Sequence, residues 1–496
     1  MPFSSIFFLV GFLPVVLLVH FSLRKIALKN IFLVLVSLSF YISGEGSYVA
    51  IILLSIAANY CFGRMIDRED ANASTTRSGS ARAVLAVGIV FNVALLAYFK
   101  YAGFLVANLN SLFVPFGASP LHLAQVHLPL AISFLTFHAI SYLVDIYRGI
   151  SKAQTDPIKL ALYFVIFPHM IAGPVVRYNH IERQLSHRSV DASQFAYGVH
   201  RFILGLGKKV LIANFLSPIV DQIFSVPAGE LSIGAAWLGA LCYGLQIFFD
   251  FSGYSDMAIG LGRMFGFHFP ENFNNPYWAS SITDFWRRWH MTLSGWFRDY
   301  LYIPLGGNRG PKWRTLSNLL VVFFLCGLWH GAAWTFVAWG MLHGIFLIFE
   351  RLLMKSSSCG AQQLSLFKSA LRHIYVVAVL LVSWVLFRSD SLPHALGYIG
   401  IMFGFAATQT AAVPAVAYLT RSGALALMVG IALASPVASI AAMHLGRFYG
   451  NLKGRHLLLG ACFVRVGYLY GIGAILIVCL ARLASGATNP FIYFRF

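Results

Sequence analysis

Between Arg314 and Glu350 the chain carries no Asp, Glu, Lys or Arg, and His330, in GLWHGAAW, stands near the middle of that run. A membrane-spanning helix needs about 20 apolar residues, so Thr315 to Phe349 is too long for one span and must break, most naturally between Gly327 and Gly331. Two arms of about 15 residues would then meet at the histidine. Each covers about 22 Å, less than a hydrocarbon core of about 30 Å. If the ends at Lys312/Arg314 and Arg351/Lys355 share one face, His330 stops inside the membrane.

Composition sets the class. The chain has 496 residues, of which 58% are hydrophobic and 11% charged, and a mean hydropathy of +0.74 implies an all-α polytopic membrane protein. Thirty-six Lys and Arg face 17 Asp and Glu, for a net charge of +19. The basic residues gather in short loops between apolar runs, which positive-inside topology explains more simply than nucleic-acid binding. Anionic headgroups or an anionic donor at the inner face are the other reading of such clusters. Cys61, Cys242, Cys326, Cys462 and Cys479 lie in or beside apolar runs without a CxxC pair, as membrane-buried thiols do.

In chain order, Phe3 to Phe21 is expected as an uncleaved first span, followed at once by Arg24, Lys25 and Lys29, so the N-terminus lies outside. Ile31 to Ser43 and Tyr48 to Phe62 turn at GEG and return to a hydrophilic, basic loop. Val84 to Phe99 crosses outward and Leu128 to Ile146 returns. Prolines flanking FPHMIAGP suit a re-entrant or broken segment. About eleven or twelve crossings are expected, with further spans within Trp237 to Phe251, Tyr375 to Phe387, Leu396 to Ala407, Ala424 to Met443 and Ala461 to Leu480.

Four places could carry chemistry. Ser281 to Leu301 reads as one amphipathic helix opened by a Ser281-x-x-Asp284 cap, with Trp286, His290, Leu293 and Phe297 on one face. Its arginines, Arg287, Arg288 and Arg298, could bind phosphates or carboxylates of an acyl donor, or anchor the helix to headgroups. A neutral imidazole at His330 could move a proton in acyl transfer, or simply hydrogen-bond a backbone carbonyl between Trp329 and Trp334. His343 reads as a packed residue. Asp250 and Asp256, in FFDFSGYSD, would be cation ligands of a transporter or structural caps on a helix unwound at its Gly and Ser residues. The terminal FIYFRF, whose single hydroxyl is Tyr493, suits an interfacial anchor. No GxSxG, nucleotide-loop or HExxH pattern stands out, and the 16 histidines are not spaced as metal ligands.

Several stretches resemble the membrane-bound O-acyltransferase family, in its bacterial branch that acetylates alginate and other exported polysaccharides. They are ISFLTFHAISYLVDIYRG from Ile132, FPHMIAGPVVRY from Phe167, FFDFSGYSDMAIGLGRMFGF from Phe248, the long block from Asn272 through FWRRWH to GGNRG, and LWHGAAWTFVAWGMLHG from Leu328. The resemblance implies one membrane domain over residues 1–496: N-terminal spans in 1–150, a catalytic core in 160–355, and C-terminal spans with the terminal motif in 370–496. It implies His330 as catalytic histidine, His290 as its second, more polar position, and Tyr493 as an acyl relay. A ring of helices around a thinned centre, open by funnels to both faces, is expected. So are the bacterial inner membrane, acetyl-CoA as donor without a tightly bound cofactor, a periplasmic partner of the SGNH type, and alginate as final acceptor. Cellulose, peptidoglycan or teichoic acid are the alternative polymers, and a polysaccharide or ion transporter built on Asp250 and Asp256 is the rival of another class.

Overall fold

In the computed structural model the chain is described over residues 2–71, 79–354, 366–405, 413–437, 443, 454–486 and 492. Backbone polar groups buried in lipid must be satisfied within their own segment, which leaves helices as the solution for apolar runs of this length. Helices α1 (Leu13–Ser22), α2 (Ile26–Glu45), α3 (Val49–Ala71), α4 (Gly79–Phe113) and α5 (Ile132–Tyr147) form the N-terminal group. A broken stretch follows: α6 (Pro157–Val165), α7 (Phe167–Met170) and α8 (Tyr178–Ser186). The centre holds α9 (Ala192–Gly207), α10 (Asn214–Phe224), α11 (Ile233–Met264), α12 (Ile282–Trp286), α13 (Met291–Phe297), α14 (Lys312–His330) and α15 (Trp334–Met354). Then come α16 (Leu366–Arg388), α17 (Leu392–Met402), α18 (Arg421–Ala434) and α19 (Gly454–Ala484).

Among the described residues, seven helical stretches are long and apolar enough to cross a membrane, and four shorter apolar helices, Phe7–Ser22, Ile132–Tyr147, Leu392–Met402 and Arg421–Ala434, accompany them. FPHMIAGP is broken as its prolines require, with only four helical residues in α7.

Of the candidate membrane spans α11 is the best buried, and it corrects one expectation. Its glycines and serines do not unwind it; helix runs without interruption for 32 residues through Asp250 and Asp256. The glycines instead admit α9. A Cβ on Gly205 would lie 2.5 Å from the Gly253 carbonyl oxygen, and one on Gly260 would lie 2.6 Å from that of Gly198. Small residues let apolar helices approach backbone to backbone, so this spacing encodes a contact rather than a break.

The uncharged run folds as a hairpin of α14 and α15, its charged ends together. A Cβ on Gly327 would meet the Phe336 oxygen at 2.4 Å, and one on Gly340 would meet the Phe323 oxygen at 2.2 Å. Gly327 is thus an interior packing glycine. The break is shorter than expected and lies at Gly331–Ala333, between arms of 19 and 21 residues. Lys312, Trp313 and Arg314 form the polar start of the first arm, so its uncharged part, Thr315 to His330, rises about 24 Å.

Candidate active site

His330 ends α14 as a buried residue, 7% exposed. Trp329, Trp339 and Phe387 surround it, with ring centroids at 4.7, 4.9 and 5.1 Å. Among the described residues the imidazole makes no hydrogen bond, although a buried polar group normally has one. Two cavities approach this spot from opposite ends of the hairpin. The larger, about 560 Å³, opens at the charged end beside Arg287, Arg298 and Tyr302 and runs between apolar walls to Cys326, one helical turn before His330. The second, about 240 Å³, is lined at the hairpin tip by Ala333, Phe336 and Phe387, with Arg388, Asp390 and Ile492 at its rim. Phe387 therefore touches both the histidine ring and the second cavity.

His290 reaches the same place by another route. Ser281 to Leu301 is not one helix: α12 stops at Trp286, and His290 takes a left-handed conformation (φ 43°, ψ 53°) before α13 starts. A side chain with a Cβ adopts that region at a cost, and such strain concentrates at functional positions. The Ser281 cap itself is present, its hydroxyl accepting from the Asp284 N–H. Glu350, at the end of α15, accepts the next free N–H groups of α12, from Ile282 and Thr283, at 2.5 and 2.9 Å. The break thus hangs on the foot of the hairpin.

Hydrogen bonding fixes the ring. His290 Nδ1 lies 3.0 Å from Asn272 Oδ1, which also accepts from the Thr292 hydroxyl at 2.8 Å and from the Thr292 backbone N–H at 3.4 Å. The Asn272 amide nitrogen donates to Ser255. A backbone N–H can only donate, so the asparagine atom there is oxygen and the proton on His290 sits on Nδ1. Nε2 is left bare, and it has no partner among the described residues. Burial holds the ring's pKa down to about 3, so it stays neutral. His290 and His330 lean on one indole: Trp329 lies 6.2 Å from the first and 4.7 Å from the second.

The other expected residues divide. Arg287 and Arg298 line the larger cavity, Arg298 while paired with Asp299 at 2.7 Å, whereas Arg288 does not line it and pairs with Asp284 at 2.9 Å. Tyr493 lies outside the described residues. His343 is fully buried and accepts from the Trp286 indole N–H at 3.3 Å, as a packed residue should. Asp250 pairs with Lys209 at 2.5 Å and accepts the Ile492 N–H at 2.9 Å. Asp256 pairs with Arg201 at 2.7 Å and Lys208 at 2.6 Å. Both carboxylates are closed off in ion pairs, which favours the structural role over cation ligation. Sequence reasoning missed Asn272 and Lys100. Lys100 could have been noticed, because it is the only charged residue between Arg82 and Asp145.

A sequence model of the membrane-bound O-acyltransferase family matches residues 150–387. A probable alginate O-acetylase of Azotobacter vinelandii is 43% identical over 82% of this chain and 78% of its own length. One of Pseudomonas putida is 38% identical over the whole of both chains. The peptidoglycan O-acetyltransferase of Helicobacter pylori is 37% identical over 81% of this chain and 80% of its own.

Proposed function

This chain belongs to the membrane-bound O-acyltransferase family, and we propose that it passes acetyl groups across the bacterial inner membrane for O-acetylation of an exported polysaccharide, alginate first among the candidates. The activities for which its relatives are named support acyl transfer to exported polymers. The observation that carries the reading is His330, a buried imidazole with no hydrogen bond among the described residues, between two cavities at opposite ends of one hairpin.

In this reading acetyl-CoA enters the larger cavity, whose Arg287 and Arg298 suit its phosphates. His330 takes the proton of an acceptor hydroxyl, the oxygen attacks the thioester carbonyl, the C–S bond breaks, and the proton returns to the departing thiolate. A bare Nε2 cannot polarise a carbonyl. His290 therefore accepts a hydrogen bond, from the incoming hydroxyl or from water, and holds it in line. The acceptor stands on the side of the smaller cavity. Tyr493 is one candidate, because Ile492 before it lines that cavity. Direct transfer to a periplasmic partner of the SGNH type is the other. Peptidoglycan, cellulose and teichoic acid are the alternative polymers.

Deleting the gene in a host that secretes the polymer, and complementing with wild type, His330→Ala or Tyr493→Phe, tests this. Expected is polymer without acetyl ester for His330→Ala at normal membrane abundance. Wild-type ester content would end the assignment of His330. Normal acetylation by Tyr493→Phe would remove the relay and leave direct transfer. A gene loss that stops secretion altogether would favour a transporter.

A further inference from the structure

The turn that carries His330 is held from outside by one face of α4. Helix α14 ends at His330, so its last carbonyls have no intrahelical donors. Tyr101 donates its hydroxyl to the Leu328 carbonyl at 2.8 Å. Lys100 donates through Nζ to the Trp329 carbonyl and, at 3.3 Å, to that of His330. Two turns along α4, Asn108 accepts the indole N–H of Trp334 at 2.8 Å, and Phe104 lies against that indole at 5.7 Å. Positions 100, 101, 104 and 108 recur at the helical period, so a single rigid face grips the chain on both sides of Gly331.

The lysine is the unusual member. No ion pair with an acid is found for it among the described residues, and its ammonium faces only carbonyls and, at 5.9 Å, the Trp329 ring. A cation in an apolar span is costly, and here it meets the negative end of the α14 dipole at the residue that carries the imidazole. A glutamine or serine could supply one hydrogen bond to a helix end. A cation that spans two successive carbonyls holds the Trp329 and His330 peptides in one orientation, and with them the two rings at the meeting point of the cavities.

We propose that Lys100 is a positioning residue for transfer, acting through the main chain of Trp329 and His330 to fix the imidazole between donor and acceptor. The proposal rests on the assignment of His330 as the transferring base. A slight rotation of this turn swings the ring away from in-line geometry, and misplacement of about 1 Å costs on the order of 100-fold in rate.

The experiment uses the full chain in inverted membrane vesicles given radiolabelled acetyl-CoA at varied concentration, with transfer measured per molecule of protein. His330→Ala, Lys100→Met and Lys100→Arg are compared with wild type. Expected is a fall of about 10- to 100-fold in kcat for Lys100→Met with the KM for acetyl-CoA unchanged, and recovery of most of it in Lys100→Arg, which keeps the cation and its donors. Wild-type kcat per molecule in Lys100→Met overturns the proposal. So does a loss explained wholly by lower membrane abundance, since that makes Lys100 a folding residue. So does a rise in KM alone, which would make it a donor contact. If His330→Ala keeps wild-type transfer, the assignment of His330 fails and the proposal falls with it, whereas loss in His330→Ala with wild-type kcat in Lys100→Met overturns the proposal alone.

Discussion

Asp250 and His330 both bury a polar group among apolar helices, but only the aspartate has every oxygen engaged. Its two oxygens meet Lys209 and the Ile492 N–H. The ring of His330 has no hydrogen-bond partner among the described residues, and cavities approach it from both ends of the hairpin. Completed pairing uses up a group's chemistry in holding the fold; an unmet imidazole beside open space keeps a proton-transfer site available. The same contrast separates the arginines. Arg288 is committed to Asp284 away from the larger cavity, Arg298 lines that cavity while paired with Asp299, and Arg287 lines it too.

The contrast breaks if residues of the two kinds respond alike. Removing the general base should cost most: His330→Ala lowers acetyl ester on the polymer about 100- to 10,000-fold, with protein abundance unchanged by immunoblot. Lys209→Met should do the reverse. Stranding Asp250 costs about 3–5 kcal/mol, so folded protein falls while transfer per surviving molecule holds. Adding Asp250→Asn to Lys209→Met restores abundance, because the amide oxygen still accepts from Ile492. Loss of transfer at normal abundance in that double variant would instead place Asp250 in the chemistry.

Asn272→Leu sharpens the His290 side. It removes the acceptor that holds Nδ1–H and should slow transfer about 10- to 100-fold without lowering thermal stability in detergent to match. The smallest effect is expected at the cavity mouth. Arg287→Gln and Arg298→Gln each raise the KM for acetyl-CoA about 3- to 10-fold, less so at high salt, because exposed charges are screened. Arg288→Gln should leave KM unchanged.

Much of this was legible in the sequence, and for stated reasons. Uncharged length and the glycines near His330 required a hairpin, and it is there, with its charged ends together. The period of FWRRWH could not show that His290 breaks the helix, since nothing in a 3.6-residue pattern predicts a left-handed residue whose ring is held by Asn272, 18 residues earlier. Glycines near Asp250 looked like an unwinding signal because their helical partners, Gly198 and Gly205, are some fifty residues away.

The residues themselves determined the class of molecule, the membrane, the histidine at the hairpin tip and the family, because hydropathy, charge placement and contiguous motifs are local properties. Only the tertiary structure decided which polar groups are spent on each other. That required knowing that Lys100 reaches across to the end of α14, that Lys209 satisfies Asp250, and that Asn272 sets the proton on His290. Each is a contact beyond the reach of any helical period, between residues 18 to 230 positions apart, where a side chain's role depends on whether its hydrogen bonds are already filled.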